Sequence, residues 1–227
     1  MAKLVLFDVD GTLIYSGGAG NKGFNRTLEL LTGIRDGFDG VDCAGKTDAQ
    51  IIREAFTALG LDPDGQLVRR FLAAYPVCLK EVMSTVQGHV KPGVRVLLQR
   101  LRAEHGIFLG LLTGNVEAGA RLKLEPFHLD SFFPFGAFGN DEEDRNLLLP
   151  VAVRRLLEIE GVAVNYSDCI VIGDTPLDVE CAAVYHASSI AVATGPYAIE
   201  ELRAAGADLV LPDLRHTDLV LEWIRSR

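Results

Sequence analysis

The amino-acid sequence predicts an α/β protein: a doubly wound parallel sheet core that carries an inserted, small α-helical cap. Three observations lead there. Short apolar runs rich in Val, Ile and Leu recur at residues 3–9, 107–112, 169–172, 189–193 and 208–211. They are nearly continuous rather than alternating, the pattern of parallel strands covered on both faces. Helical spacing fills the intervals at 94–104, 116–125, 147–160 and 177–186, with shorter candidates at 199–205 and 218–225; strand and helix in alternation give an open sheet with right-handed crossovers. The third observation is a gap: about 90 residues separate the first strand from the second, far more than a connecting helix occupies.

That interval has its own helical pattern at 21–31, 48–59 and 66–86, broken by Gly33, Gly37, Gly40 and Gly45 and then by Leu61-Asp62-Pro63-Asp64-Gly65. It reads as a helical cap over residues 16–88, entered near 15–20 and left near 88–93, with the core formed by 1–15 and 89–227. The run Ser16-Gly17-Gly18-Ala19-Gly20 has the freedom of a hinge, although a plain loop accounts for it equally well.

The chain has 227 residues, 48% hydrophobic and 23% charged, enough to bury a substantial core. A formal net charge of -9 disfavours nucleic acid or an anionic membrane as partner, since both require a basic surface. The apolar start is interrupted by Asp8 and Asp10 before a signal peptide can develop, and no apolar run approaches the roughly 20 residues that span a bilayer. A cytoplasmic protein is expected. Cys43, Cys78, Cys169 and Cys181 show no zinc spacing and read as reduced thiols.

Three apolar runs end in polar groups that carry chemistry. Leu4-Val5-Leu6-Phe7-Asp8-Val9-Asp10-Gly11-Thr12-Leu13 is a buried strand running into two carboxylates, and in a doubly wound sheet ligands sit outside the carboxyl ends of the strands. Carboxylates crowded there call for a hard divalent cation. The spacing separates a nucleophile, Asp8, from an acid/base, Asp10. In Phe108-Leu109-Gly110-Leu111-Leu112-Thr113-Gly114-Asn115, Thr113 and the amides of Gly114 and Asn115 at a helix start can bind phosphoryl oxygens. Gly173-Asp174-Thr175-Pro176-Leu177-Asp178 delivers another carboxylate pair, Asp174 as a metal ligand and Asp178, a turn into the helix, holding a water ligand or orienting the site.

Together these segments resemble the haloacid dehalogenase-like hydrolase superfamily over essentially the whole chain, in its phosphatase branch with a helical cap, similar to phosphoglycolate phosphatases. Lys91-Pro92-Gly93-Val94 followed by Leu97, Leu98 and Leu101 resembles that family's return from cap to core. The resemblance implies a Rossmann-like core, Mg2+ as cofactor, Asp8 as nucleophile and metal ligand, Asp10 as acid/base with its backbone carbonyl on the metal, and Asp174 as the remaining protein ligand. The dehalogenases of the superfamily lack the second aspartate, so Asp10 speaks for phosphate chemistry. The expected phosphate-binding set is Gly11, Thr12, Gly114, Asn115 and, from the cap, Lys46.

The pattern departs from the family in one place. The lysine expected before the helix leading to the metal strand is absent from Phe138-Gly139-Asn140-Asp141-Glu142-Glu143-Asp144-Arg145-Asn146-Leu147. Arg145 is the candidate replacement, because a guanidinium keeps the charge and offers a planar fork to phosphate; pairing with the neighbouring acids is the plainer alternative. Lys123 is a weaker alternative for that lysine, since it sits well inside the preceding helical pattern and is expected at the surface, and Lys46 is either a substrate contact or a surface lysine. The histidines form no ligand spacing, and Trp223 sits on an apolar helix face.

The expected activity is magnesium-dependent hydrolysis of a small phosphomonoester through an aspartyl-phosphate. Alternatives are a phosphomutase of the β-phosphoglucomutase type and a non-catalytic binder of phosphorylated metabolites. The expected partner is a small phosphorylated metabolite, not nucleic acid or membrane, and the protein is either a monomer or a homodimer.

Overall fold

The computed structural model describes residues 2–227; Met1, the first residue of the expected core segment, lies outside them. In chain order the strands are β1 (Lys3–Phe7), β2 (Ile14–Tyr15), β3 (His89–Val90), β4 (Ile107–Thr113), β5 (Gly136–Phe138), β6 (Cys169–Gly173), β7 (Ser188–Val192) and β8 (Leu209–Leu211). Six of them form one sheet in the order β5-β4-β1-β6-β7-β8, parallel throughout. Strand β1 is buried along its whole length at the sheet's centre.

Successive side chains of a strand face opposite ways, and the two faces of β1 supply two cores. Val5 and Phe7 join α4 (Val94–Ala103) and α9 (Thr217–Ser226) through Leu97, Leu101, Val220 and Ile224. Leu4 and Leu6 join α6 (Leu148–Glu160) and α7 (Pro176–Val184) through Leu149, Leu156 and Cys181. Double cover explains why these strands lack polar alternation. Strand β5 is not expected from the sequence: at three residues beginning with glycine it is too short to register as an apolar run, and it forms by pairing with β4.

The interval after β1 contains α1 (Ala19–Thr32), α2 (Asp48–Ala58) and α3 (Gln66–Met83), which share an apolar cluster that Val116 and Leu122, from the chain after β4, also join. Aromatic rings fill it. Phe24 stacks on Tyr75 at 4.4 Å between centroids and on Phe38 at 5.0 Å, offset pairs of the kind favoured by ring quadrupoles. The chain leaves and returns side by side, because β2 pairs antiparallel with β3 through Ile14–Val90 and Tyr15–His89.

A second seam lies where α2 begins. The Asp48 amide donates to the Gly114 carbonyl at 2.7 Å, and the Thr47 hydroxyl donates to the Glu143 carbonyl at 2.7 Å. The Asp48 carboxylate in turn accepts the Val116 amide at 2.7 Å, capping α5 (Glu117–Leu124) from outside. Arg53 holds Glu143 with two bonds of 2.7 and 2.9 Å. The backbones approach this closely because residue 114 has no side chain: a Cβ there would fall inside contact distance of the Lys46 carbonyl and the Thr47 backbone.

This seam is open to two tests. Gly114→Ala should cost about 1–3 kcal/mol in urea unfolding by overpacking, and an unchanged midpoint would contradict the close approach. Burial lifts the Asp48 carboxyl to about 6 from 3.8, against the opposing pull of Lys123 and the Val116 amide. The unfolded chain therefore releases this proton earlier than the folded one, so stability falls as pH rises from about 4 to 6, and above that interval the ionised carboxylate costs roughly 3 kcal/mol. Asp48→Asn keeps an acceptor for Val116 and should exceed the wild type by about 1–3 kcal/mol at pH 7, converging with it near pH 4; no gain at pH 7 would contradict the assignment.

Candidate active site

Asp8 and Asp174 follow directly on β1 and β6. Those strands are in parallel register, with Phe7 opposite Ile172, and the Asp8 amide donates to the Ile172 carbonyl at 2.9 Å. The two carboxylates therefore emerge side by side. Strand β4 flanks β1 on its other side, with Phe7 opposite Leu111, and ends in Thr113. The three segments singled out in the sequence thus meet at one sheet edge, around a cavity of about 490 Å³ that Asp8, Asp10, Gly11, Thr113, Gly114, Asn115, Lys46, Arg145 and Asp174 all line.

Arg145 is buried at 5% exposure, not solvated among Asp141, Glu142, Glu143 and Asp144. Its Nη2 donates to Asp8 Oδ1 at 3.1 Å and to Asp178 Oδ1, and its Nη1 donates to the Gly45 carbonyl at 2.9 Å. A planar fork makes these simultaneous contacts possible. Nε is left as a buried donor without a partner. Asp178 also shapes the local backbone, since its other oxygen accepts the Thr175 amide at 3.0 Å and hydroxyl at 2.8 Å, closing the capping box that starts α7.

The expectation for Lys123 is overturned. It is 3% exposed, and its ammonium donates to Asp10 Oδ2 at 2.6 Å and to Asn115 Oδ1 at 2.5 Å. Asp10 also accepts the Ser16 hydroxyl at 2.8 Å and the Asn115 side-chain amide at 3.0 Å. Burial alone would raise the Asp10 carboxyl, but the Lys123 charge and these donors outweigh it and hold Asp10 below the usual carboxylate range. The sequence contains the signal: Val116, Gly119, Ala120, Lys123 and Leu124 recur at helical spacing, and all are buried. A lysine on that stripe faces inward with its neighbours.

Asp8 and Asp174 behave differently from Asp10. Burial raises Asp8 to about 7, with Asp178 and Asp10 adding to the rise and Arg145 opposing it. Asp174 is raised well above its ordinary value by burial and then by Asp8 and Asp178. Two neighbouring buried carboxyls raised by burial, with Asp8 also opposing the ionisation of Asp174, fit a hard divalent cation, and an all-oxygen donor set suits magnesium. Among the described residues no three His, Cys, Asp or Glu side chains gather as a metal cluster, so this fit rests on the two carboxylates. Gly11, at φ 88, makes room for Asp174, whose carboxylate would collide with any Cβ there.

Several expected phosphate contacts are placed otherwise. Thr12 is fully buried, and its hydroxyl donates to Asp174 Oδ1 at 2.8 Å, so its side chain orients a carboxylate instead of facing the cavity. Helix α5 begins at Glu117, past Gly114 and Asn115, and its leading amides go to protein acceptors, Val116 to Asp48 and Glu117 to Asn140 at 2.7 Å. The positive end of the helix is therefore already matched with an acid. The Asn115 side chain organises Asp10 and Lys123, and its Nδ2 also donates to Thr113 Oγ1 at 2.9 Å. Because Thr113 accepts there, its hydroxyl proton is left to donate. Lys46 lines the cavity, but its ammonium pairs with Glu54 at 2.7 Å.

Comparison with known proteins agrees with this geometry. A family model described as haloacid dehalogenase-like hydrolase matches residues 2–185. The chain is 30% identical to a phosphoglycolate phosphatase of Rhodospirillum rubrum over 94% of its own length and 88% of the relative's. It is 27% identical to a phosphoglycolate phosphatase of Pseudomonas putida, with 95% and 78% covered. A solved hydrolase from Pseudomonas syringae shares the fold at a TM-score of 0.74 and 20% identity, with 99% of each chain covered. With three motif segments meeting at one sheet edge and a family match over most of its length, the chain belongs to the haloacid dehalogenase-like hydrolases.

Proposed function

We propose that this hydrolase cleaves a small phosphomonoester, with Asp8 as nucleophile and an aspartyl-phosphate as intermediate. The observation that carries the reading is the position of Asp8: it ends the central strand, opens onto the cavity and is held by Arg145. The curated relatives, both phosphoglycolate phosphatases, support a small anionic ester as substrate. Residues 16–88 act as the cap over the site, with 2–15 and 89–227 as the core. Four free cysteines fit the cytoplasmic location expected from the sequence.

In this reading an Asp8 oxygen attacks phosphorus, the bond from phosphorus to the ester oxygen breaks, and Asp10 hands a proton to the departing alkoxide. Arg145 places positive charge beside Asp8, and the Thr113 hydroxyl donates to a phosphoryl oxygen where charge builds up. Water then attacks phosphorus and gives its proton to Asp10, and the electron pair of the phosphorus–Asp8 bond returns to the carboxylate. Magnesium, held by Asp8, Asp174 and the Asp10 carbonyl, would supply the positive charge under which both carboxylates ionise and the phosphoryl group approaches them. The non-catalytic reading draws on the missing lysine; Arg145 answers it by bringing a buried cation to the nucleophile.

Release of inorganic phosphate from a panel of small phosphomonoesters, with and without magnesium, tests the proposal. Magnesium-dependent release should fall by more than about a thousandfold in Asp8→Asn. Arg145→Ala should lose about a hundredfold or more, with Arg145→Lys recovering part of it. Release that survives Asp8→Asn would eliminate the nucleophile, and an inert wild type would eliminate the phosphatase.

A further inference from the structure

Lys123 buries its ammonium against Asp10: its own side chain is 4% exposed, whereas that of Asp10, which lines the cavity, keeps 37%. Lys123 reaches Asp10 Oδ2 from α5 at 2.6 Å while also fixing Asn115, which donates to the same oxygen at 3.0 Å. The other Asp10 oxygen accepts the Ser16 hydroxyl at 2.8 Å. Lys123 is nearly inaccessible, and Gly20, at the start of α1, forms part of its roof: a Cβ on residue 20 would lie 3.3 Å from the ammonium.

The chemistry of these partners is one-sided. An ammonium and a side-chain amide nitrogen can only donate, and the Ser16 hydroxyl is oriented as a donor. Every partner of the Asp10 carboxyl is a donor, so both of its oxygens are fixed in place by hydrogen bonds from the protein. Arg145, by contrast, serves Asp8 and Asp178 and makes no contact with Asp10. The two buried cations therefore divide the site between them.

Resting on the phosphatase reading, we infer that Lys123 is a positioning residue that holds Asp10 as the proton acceptor for the second half of the reaction, the attack of water on the aspartyl-phosphate. In that step the water oxygen bonds to phosphorus, the bond between phosphorus and the Asp8 oxygen breaks with its electron pair returning to Asp8, and the water proton passes to Asp10. Lys123 and Asn115 hold the receiving oxygen in place for that transfer. With a leaving group that departs without a proton, such as p-nitrophenolate, the first half of the reaction depends on Asp8 and Arg145 and is less sensitive to Lys123.

The test is Lys123→Met, a substitution of similar length without the charge, assayed with p-nitrophenyl phosphate after circular dichroism has verified its fold. The expected result is a fall in kcat of tenfold or more with a smaller fall in kcat/KM. It should be accompanied by a burst of nitrophenolate equal to the enzyme present and by phosphorylated Asp8 accumulating in acid-quenched samples read by mass spectrometry. In an Asp10→Asn background the same substitution should add less than about threefold, because residues that act through one another are not additive. Equal falls in kcat and kcat/KM without phosphorylated Asp8 would overturn the inference while leaving the phosphatase intact; a wild type that releases no phosphate would instead overturn the reading beneath it. If Lys123→Met does not fold, Lys123→Gln, which keeps a donor toward Asp10, takes the same measurements with the same two outcomes.

Discussion

Charge compensation in a confined space is the constraint on which this molecule depends. Asp8, Asp10, Asp48, Asp174 and Asp178 converge from the ends of β1 and β6 and the starts of α2 and α7, while Lys123 and Arg145 are the buried cations that answer them. Ionised carboxylates in a dry cleft are costly unless paired and hydrogen-bonded. Each cation solves a different part of the problem. Arg145 uses its fork to span Asp8 and Asp178, whereas Lys123 offers a compact charge to Asp10 and lowers the cost of Asp48. The pair Asp8 and Asp174 is compensated only in part, by Arg145, and there a hard divalent ion fits.

The same contacts tie the helical unit to the chemistry. Arg145 donates to the Gly45 carbonyl, Asp48 caps the helix that carries Lys123, and Gly20 closes over the ammonium. Each joins the interval after β1 to a group beside the reacting atoms. Because α1 to α3 share their aromatic cluster with Val116 and Leu122, moving the unit as a body would give up apolar packing as well as these polar contacts. The position of the helical unit and the arrangement of the site are thereby coupled.

Much of this is legible in the sequence because strands buried on both faces announce themselves as apolar runs, and because a strand end is where such a sheet places its ligands. Asp8, Asp174 and Thr113 are found that way. Arg145 is found by position, as the basic residue in the slot before α6. Strand β5 is not, since three residues starting with Gly136 carry no pattern apart from pairing with β4. Thr12 is assigned to phosphate because sequence reveals a polar side chain but not its partner, here Asp174; Asn115 is assigned by its amide at an expected helix start, whereas the helix begins at Glu117 and the Asn115 side chain serves Asp10 and Lys123. Lys123 is misplaced for another reason. Lysine is so rarely buried that its residue type outweighs the buried stripe on which it sits.

The proposal that Asp8 is the nucleophile has a direct chemical test. Enzyme turning over a phosphomonoester is quenched in acid, reduced with borohydride to convert an aspartyl-phosphate into homoserine, digested and sequenced by mass spectrometry. Homoserine is predicted at position 8 and at no other aspartate, dependent on substrate. Homoserine at Asp10 or Asp174, or an unmodified Asp8 in enzyme that releases phosphate, would contradict it.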